Sequence, residues 1–147
     1  MIAKVIGCDI EGLKTIKTYK GTMAALGKEI RREIPGYHAK IKKLEHDVTK
    51  YGTIILGMPV WLNDIPSPMK TFIESVDWRG LTVHPFFSTG GIYSGVYGEV
   101  VRRCGGASVK DPLYIIYGKG GRFLRIDEPL RPGDIINLTD NSDGVII

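Results

Sequence analysis

The feature that most constrains the fold is the stretch from residue 53 to residue 74, in which an apolar run stops at a Gly/Pro turn and restarts as a helix. Residues 53–57 are continuously apolar after Thr53, without the alternation of a strand that has one face in water. Such a strand is buried on both faces, as in a parallel sheet covered by helices. Ser67 and Pro68 then predict a helix start, because Ser is a favoured cap and Pro suits the first helical position. The stretch therefore predicts an α/β fold.

The same order of strand, loop and helix recurs further along the chain. Residues 82–87 predict a short strand, a glycine-rich loop follows at residues 88–98, and residues 96–104 predict a helix. Residues 112–117 predict another apolar strand. This repeat is typical of an open parallel sheet, and right-handed crossovers would place helices on both of its faces. Ligands of such sheets bind just beyond the carboxyl ends of the strands.

The amino-terminal part allows two interpretations. Residues 2–6, before Gly7, fit either a short strand or the last turns of a helix. With the helix interpretation, residues 13–18 predict an edge strand with imperfect alternation. Residues 23–34 predict a further helix, because their apolar residues follow a mostly helical spacing.

Beyond residue 117 strands and helices no longer alternate in the predicted order. Residues 122–126 alternate as a strand, residues 135–138 predict another, and residues 145–147 form an apolar end, with turns between them. These signals indicate a β-rich tail of about 30 residues.

Composition limits the class of protein and its partners. The chain has 147 residues, of which 43% are hydrophobic, and this is enough to bury one core. Its 20 basic and 16 acidic residues are spread along the sequence, apart from a lysine cluster at residues 40–43. We interpret that cluster as a solvated face and expect no nucleic acid partner, although a mildly basic surface favours acidic redox partners. No membrane span or signal segment is recognisable, so we expect a cytoplasmic protein.

Candidate catalytic and metal-binding groups are not found. No Ser/His/Asp order, no paired carboxylates and no metal-ligand spacing occur, so the sequence predicts neither a catalytic residue nor a metal site. Cys8 and Cys104 are interpreted as reduced packing residues. His38 and His46, in a polar connection at residues 37–50, are interpreted as solvated side chains.

Four sequence motifs resemble those of the flavodoxin-like family. They are Gly-x-Pro-x-Trp at residues 57–61, Pro-x-Pro-x-x-x-Phe-Ile at 66–73, Gly-Leu-Thr-Val at 80–83 and Thr-Gly-Gly at 89–91. The resemblance runs from about Ile2 to Ile116. It implies an open, mostly parallel, three-layer α/β sheet that is incomplete at its amino terminus and carries a carboxyl-terminal β extension. We therefore divide the chain into a flavodoxin-like domain at 1–117 and a β-rich extension at 118–147, which belongs to the same compact unit or to an oligomer interface.

The resemblance also implies an FMN site, made by two loops that hold the isoalloxazine ring. In the family, backbone groups of the first loop meet the polar edge of the ring, an aromatic side chain covers a face, and glycines of the second loop allow close approach. The matching residues here are Pro59, Val60, Trp61, Leu62 and Asn63 in the first loop, and Ser88, Thr89, Gly90, Gly91 and Tyr93 in the second. Trp61 and Tyr93 could instead be core or interface aromatics.

The sequence departs from the family pattern at the phosphate end of the site. Family members begin with a strand and a hydroxyl-rich loop that holds the FMN phosphate, whereas this chain begins inside the helix that follows. The absent strand is the central one in the order 2-1-3-4-5, and its loss would leave two unpaired inner edges. A separate polypeptide, the β-rich tail of this chain or of a partner, or residues 2–6 could fill the slot. We favour the tail or a second copy, which predicts a homo-oligomer or a partner chain completing the sheet.

Two functions follow from these expectations. The first is binding of FMN for electron transfer or reduction, with a redox partner. The alternative is a non-catalytic structural or partner-binding subunit that has lost FMN binding. A third possibility is binding of a flavin without phosphate or of another planar ligand.

Overall fold

The described part of the chain is an open sheet, and both of its α-helices pack on one face. In a computed structural model, the described residues are 7–17, 37–90 and 94–117, together with the backbone of 123–127 and 144–146. The strands are β1 (Asp9–Ile10), β2 (Thr53–Pro59), β3 (Thr82–Thr89), β4 (Ser108–Val109), β5 (Leu113–Tyr117), β6 (Phe123–Asp127) and β7 (Gly144–Ile146). The helices are a 3-10 turn (Val48–Lys50), α1 (Ser67–Glu74) and α2 (Val96–Arg103).

The strand order confirms the predicted α/β class. The order is β1-β7-β2-β3-β5-β6, and β4 pairs with β3 beside this path. All of these pairings are parallel except that of β5 with β6. The strands predicted at residues 53–57 and 82–87 each continue two residues further, to Pro59 and Thr89.

The carboxyl-terminal strand β7 lies in the slot predicted to be empty. Val145 pairs with Asp9 of β1 on one side and with Ile54 of β2 on the other, and both pairings are parallel. Of the three candidates for this slot, the structure shows the tail of the same chain. Because the same chain fills the slot, the slot no longer requires a second chain. A homo-oligomer or a partner chain stays a prediction.

The predicted edge strand at residues 13–18 is wrong. The edge strand is β1, which ends before that segment. Thr15 instead forms an antiparallel bridge with Ile41, flanked by hydrogen bonds from Ile16 N to Lys40 O and from Lys42 N to Lys14 O. Residues 14–16 thus pair with the polar segment that precedes β2, and not with the main sheet. We call residues 12–17 together with residues 37–43 the lysine ribbon.

The described core lies between the sheet and the two α-helices. The chain steps from β2 through α1 to β3, and from β3 through α2 to β5, in the same direction across the sheet. Right-handed crossovers therefore place both helices on one face. Their packing residues include Met69, Phe72, Ile73, Val96 and Val100, all buried against Ile54, Leu56, Met58, Val83 and Phe87 of the strands. The strand or helix end predicted at residues 2–6, the helix at 23–34 and the strand at 135–138 lie outside the described residues.

Ser67 does not cap α1 as predicted. Pro66 occupies the cap position, and no side chain bonds to the first N–H groups. The Ser67 hydroxyl is buried, donates to Tyr37 O at 2.8 Å and accepts the Ala39 N–H at 2.8 Å. Ser67 therefore ties the lysine ribbon to the start of α1.

Gly57 is required by close packing within the sheet. It lies opposite Phe86 in the β2–β3 register. A Cβ atom on Gly57 would lie 2.1 Å from the Phe86 ring, closer than any real contact.

No helix of the described ranges is long and apolar enough to cross a membrane.

Candidate functional site

The two loops predicted to form the site lie side by side at the carboxyl ends of β2 and β3. Pro59 and Ser88 are partners in the β2–β3 register, and Val60 N donates to Ser88 O at 2.8 Å. Adjacent parallel strands end at the same edge of a sheet, which is where ligands of this class of sheet bind. The structure therefore brings the starts of both predicted loops together.

The first loop is a tight turn with an unusual backbone. Trp61 and Asp64 pair with each other through hydrogen bonds of 3.1 and 2.9 Å. Between them, Leu62 and Asn63 have φ angles of 52° and 58°. Two consecutive positive φ angles are the mark of a type I′ turn. Asn tolerates this conformation, whereas for Leu it costs about 1–2 kcal/mol, so the surrounding contacts must hold the turn in place.

The turn presents apolar surface and backbone donors to solvent. Trp61 is 37% exposed and Leu62 is 64% exposed. The N–H groups of Leu62 and Asn63 donate to no residue within the described ranges. Exposed apolar side chains beside N–H groups without a described partner suit a flat ligand with a polar edge.

Asp64 and Lys70 hold the turn against α1. Oδ1 of Asp64 accepts the Ile65 N–H at 2.7 Å, and Oδ2 lies 2.5 Å from the Lys70 ammonium. Lys70 is only 9% exposed. A buried ammonium is strongly destabilising unless it is paired, so this ion pair couples the position of the turn to the packing of α1. Sequence reasoning missed it, although a lysine next to Met69 on an otherwise apolar helix face was an available signal.

The second loop is tied to the first by a side-chain contact. Asn63 Nδ2 donates to Ser94 Oγ at 3.3 Å, just before Gly95 opens α2. Thr89 is buried at the end of β3, and Gly90 is exposed beside it. Of the predicted site residues, the structure places Pro59, Val60, Trp61, Leu62, Asn63, Ser88, Thr89 and Gly90, while Gly91 and Tyr93 lie outside the described residues.

Ionisable residues cluster at a different place, where β1 meets the polar connection. The Glu11 carboxylate accepts the backbone N–H groups of Glu45 at 2.7 Å and His46 at 3.0 Å, and it contacts the His46 ring at 3.0 Å. Burial raises the pKa of Glu11, but these hydrogen bonds together outweigh it and leave the pKa below its usual value. Tyr51 donates to Asp9 at 2.7 Å, which raises the pKa of its hydroxyl to about 12.

The two histidines predicted to be solvated, His38 and His46, differ in their exposure. His38 is half exposed, beside Glu74, as expected for a solvated side chain. The His46 side chain is less exposed than expected, at 32%, because its ring lies between Glu11 and Asp9. Among the described residues, no group of three or more His, Cys, Asp and Glu side chains could hold a metal ion.

Comparison with known proteins establishes the family. A family model for flavodoxins matches residues 27–112, which is 86 of the 147 residues. The chain belongs to the flavodoxin family. No curated protein matches the sequence.

Solved structures with the same fold support the family. A candidate flavoprotein of Bacteroides uniformis is 21% identical, with a TM-score of 0.67 and 80% of each chain covered. One from Bacteroides eggerthii is 19% identical, with a TM-score of 0.66 and 77% of this chain and 75% of that chain covered. A flavoprotein of Lactobacillus acidophilus in complex with FMN is 19% identical, with a TM-score of 0.52, and 69% of this chain and 71% of that chain are covered. At these identities the likeness shows a shared flavodoxin fold.

Proposed function

We propose that this flavodoxin-family protein binds FMN and acts as an electron carrier or a flavin-dependent reductase. The observation that carries the proposal is the strained turn from Trp61 to Asp64, which stands exposed at the carboxyl end of β2. Backbone strain persists only where the surroundings enforce it, and it concentrates at functional sites. Here the hydrogen bond to Ser94 and the ion pair with Lys70 enforce it.

The described residues fit the ring end of FMN. An isoalloxazine ring has two apolar faces and a polar edge that accepts and donates hydrogen bonds. Trp61 and Leu62 offer apolar surface, and the N–H groups of Leu62 and Asn63 offer donors without a competing partner among the described residues. When bound, FMN supplies the electron chemistry, and the protein sets its environment through stacking and hydrogen bonds.

The arrangement of the sheet matches the strand order of the family. The central strand β7 occupies the position of the strand that precedes the phosphate loop in other family members. Its carboxyl end lies on the same edge as the two ring loops, because β7 is parallel to β2. The flavoprotein of Lactobacillus acidophilus, which has this fold, is in complex with FMN.

Titration with FMN tests the proposal. We expect FMN fluorescence to be quenched on binding, because a Trp side chain at a flavin ring is an efficient quencher. Trp61→Ala should weaken FMN binding about tenfold or more, since stacking of a flat ligand on an aromatic side chain contributes about 1–3 kcal/mol. A purified protein that is colourless and leaves FMN fluorescence unchanged would contradict the proposal and favour the non-catalytic subunit.

Trp78→Ala is the matched control. Trp78 is 2% exposed, and its indole N–H donates to Ile73 O at 2.7 Å inside the core. The substitution should lower stability while the folded protein keeps its FMN affinity. Equal losses of FMN affinity in the two variants would show that the Trp61 loop is not the ring site.

A further inference from the structure

We infer that the lysine ribbon is a docking surface for an acidic protein partner. The ribbon carries five lysines and no acidic residue. The lysines are Lys14, Lys17, Lys40, Lys42 and Lys43, and all five are exposed. None of them forms a salt bridge with a residue that the structure describes.

The ribbon accounts for the whole positive balance of the protein. The chain has 20 basic and 16 acidic residues, so removing these five lysines leaves 15 basic residues against 16 acidic ones. The rest of the protein is therefore close to neutral. A compact positive patch on a neutral body orients an approaching acidic partner and raises the rate of association.

The ribbon is a fixed surface. Its two segments are joined by hydrogen bonds of 2.9 Å from Ile16 N to Lys40 O and 2.7 Å from Lys42 N to Lys14 O. Glu11 fastens one end through the N–H groups of residues 45 and 46, and Ser67 fastens the other through Tyr37 and Ala39. The lysine stems therefore project from a backbone held at both ends.

Exposed apolar side chains on the ribbon favour a protein over a nucleic acid. Ile16 is 60% exposed and Tyr37 is 39% exposed. Both line one groove on the ribbon, while Lys14, Lys42 and Lys43 line a second groove on the same ribbon. Protein interfaces combine an apolar centre with a polar rim. The ribbon has no arginine, the residue that recognises phosphate groups through paired hydrogen bonds.

The docking surface and the FMN ring loops are made by different residues. The ribbon shares no residue with the Trp61 and Ser88 loops, and it follows β1, which is separated from β2 by β7. The sheet spacing puts β1 about 10 Å from β2. The docking experiment is done without added FMN, so its outcome is distinguishable from that of the FMN titration.

Binding of labelled acidic polypeptides to the full-length protein tests the inference. The probes are poly-L-glutamate and a glutamate–tyrosine copolymer, followed by fluorescence anisotropy at about 20 mM and about 200 mM salt. We expect both to bind at low salt, the copolymer more tightly, and both to weaken at the higher salt. Lys14→Glu/Lys42→Glu should weaken both probes about tenfold or more.

Two control variants separate this surface from general charge. Lys50→Glu/Lys110→Glu makes the same change in net charge at exposed lysines outside the ribbon, and it should change the affinity less than about threefold. Ile16→Ser should weaken the copolymer while leaving poly-L-glutamate unchanged. Circular dichroism checks that each variant is folded.

Three results would overturn the inference. One is an equal loss in the ribbon variant and in the control pair. Another is absence of binding to either polypeptide at low salt. The third is tighter binding of a duplex DNA or of phosphatidylglycerol vesicles than of either polypeptide, lost in the ribbon variant, which would make the ribbon a phosphate-binding surface.

Discussion

The described contacts differ between the two ends of the sheet. On one side, β2, α1, β3 and α2 follow one another in the chain and bury a cluster of apolar side chains. On the other, β1 and β7 come from opposite parts of the sequence, and both residues of β1 are exposed. There the described contacts include backbone pairing and polar bonds to Asp9 and Glu11. The apolar side should therefore respond to changes of volume, and the β1–β7 side to changes of backbone bonding and of pH.

The largest expected effect is a cavity on the apolar side. Phe72 is 1% exposed and packs edge-to-face on Trp78, with ring centroids 5.9 Å apart. Phe72→Ala should lower the free energy of unfolding by about 3–5 kcal/mol, measured by urea denaturation. Val101→Ala, at an exposed position of α2, should change it by less than about 0.5 kcal/mol. A small effect at Phe72 would contradict the packing described for this side.

A backbone change in β7 tests the other side. Val145 pairs with strands on both sides, so Val145→Pro removes an N–H from an interior strand. We expect a loss of about 2–3 kcal/mol, because a buried backbone group is left without its partner. Val145→Ala keeps the N–H and is the matched control for the side chain. If Val145→Pro unfolded at the same urea concentration as Val145→Ala, β7 would not lie inside the sheet.

Glu11 should make the stability of the β1 side depend on pH. Glu11→Gln replaces a carboxylate that accepts two backbone N–H groups, and it should lower the free energy of unfolding by about 1–2 kcal/mol at pH 7. The folded pKa of Glu11 is lowered from 4.5. The contribution of the carboxylate is therefore complete above that value and is lost as the pH falls through the folded pKa.

The difference between the wild type and Glu11→Gln should accordingly shrink on acidification. Urea denaturation at pH 7 and at about pH 3.5 measures it. Glu45→Gln is the control, since only the backbone N–H of Glu45 takes part in the contact. A difference that stayed constant over this range would show that the carboxylate charge has no role in holding the ribbon.

The smallest expected effect is a gain of stability in the candidate site. Leu62→Gly removes the cost of a positive φ at a side chain that is 64% exposed. The gain is reduced by the larger backbone entropy of unfolded glycine, so we expect about 0.5–1 kcal/mol in favour of the folded state. The same variant should bind FMN more weakly. Unchanged FMN affinity with increased stability would separate the strain from the function.

The elements that follow one another in the chain, from β2 to α2, could be predicted from the sequence. The strands predicted at residues 53–57 and 82–87 and both α-helices lie where hydrophobic runs, Pro68 and the glycines indicated, although each strand is two residues longer. These elements are encoded by neighbours in the chain, and Val60 bonds to Ser88 because β2 and β3 form an adjacent parallel pair.

The contacts around β1 and the lysine ribbon could not be predicted, because they join residues that are distant in the sequence. The segment at residues 13–18 has the composition of a sheet strand but pairs with residues 40–42, and no local pattern distinguishes these partners. Glu11 bonds to backbone N–H groups more than 30 residues away. From the sequence, Lys70 stands out only as a lysine on an apolar helix face. Its partner Asp64 could not be inferred, because the position of Asp64 depends on the I′ turn.

The position of β7 has a consequence for how the protein is made. Asp9 and Ile54 both pair with Val145, so the gap between β1 and β2 stays open until residue 145 has been synthesised. Pairings between such distant residues raise the contact order and slow folding. During translation, the open edges of β1 and β2 would be exposed to other chains. The βαβ units that begin at β2 can form first, and closure by β7 would then be the last and slowest step.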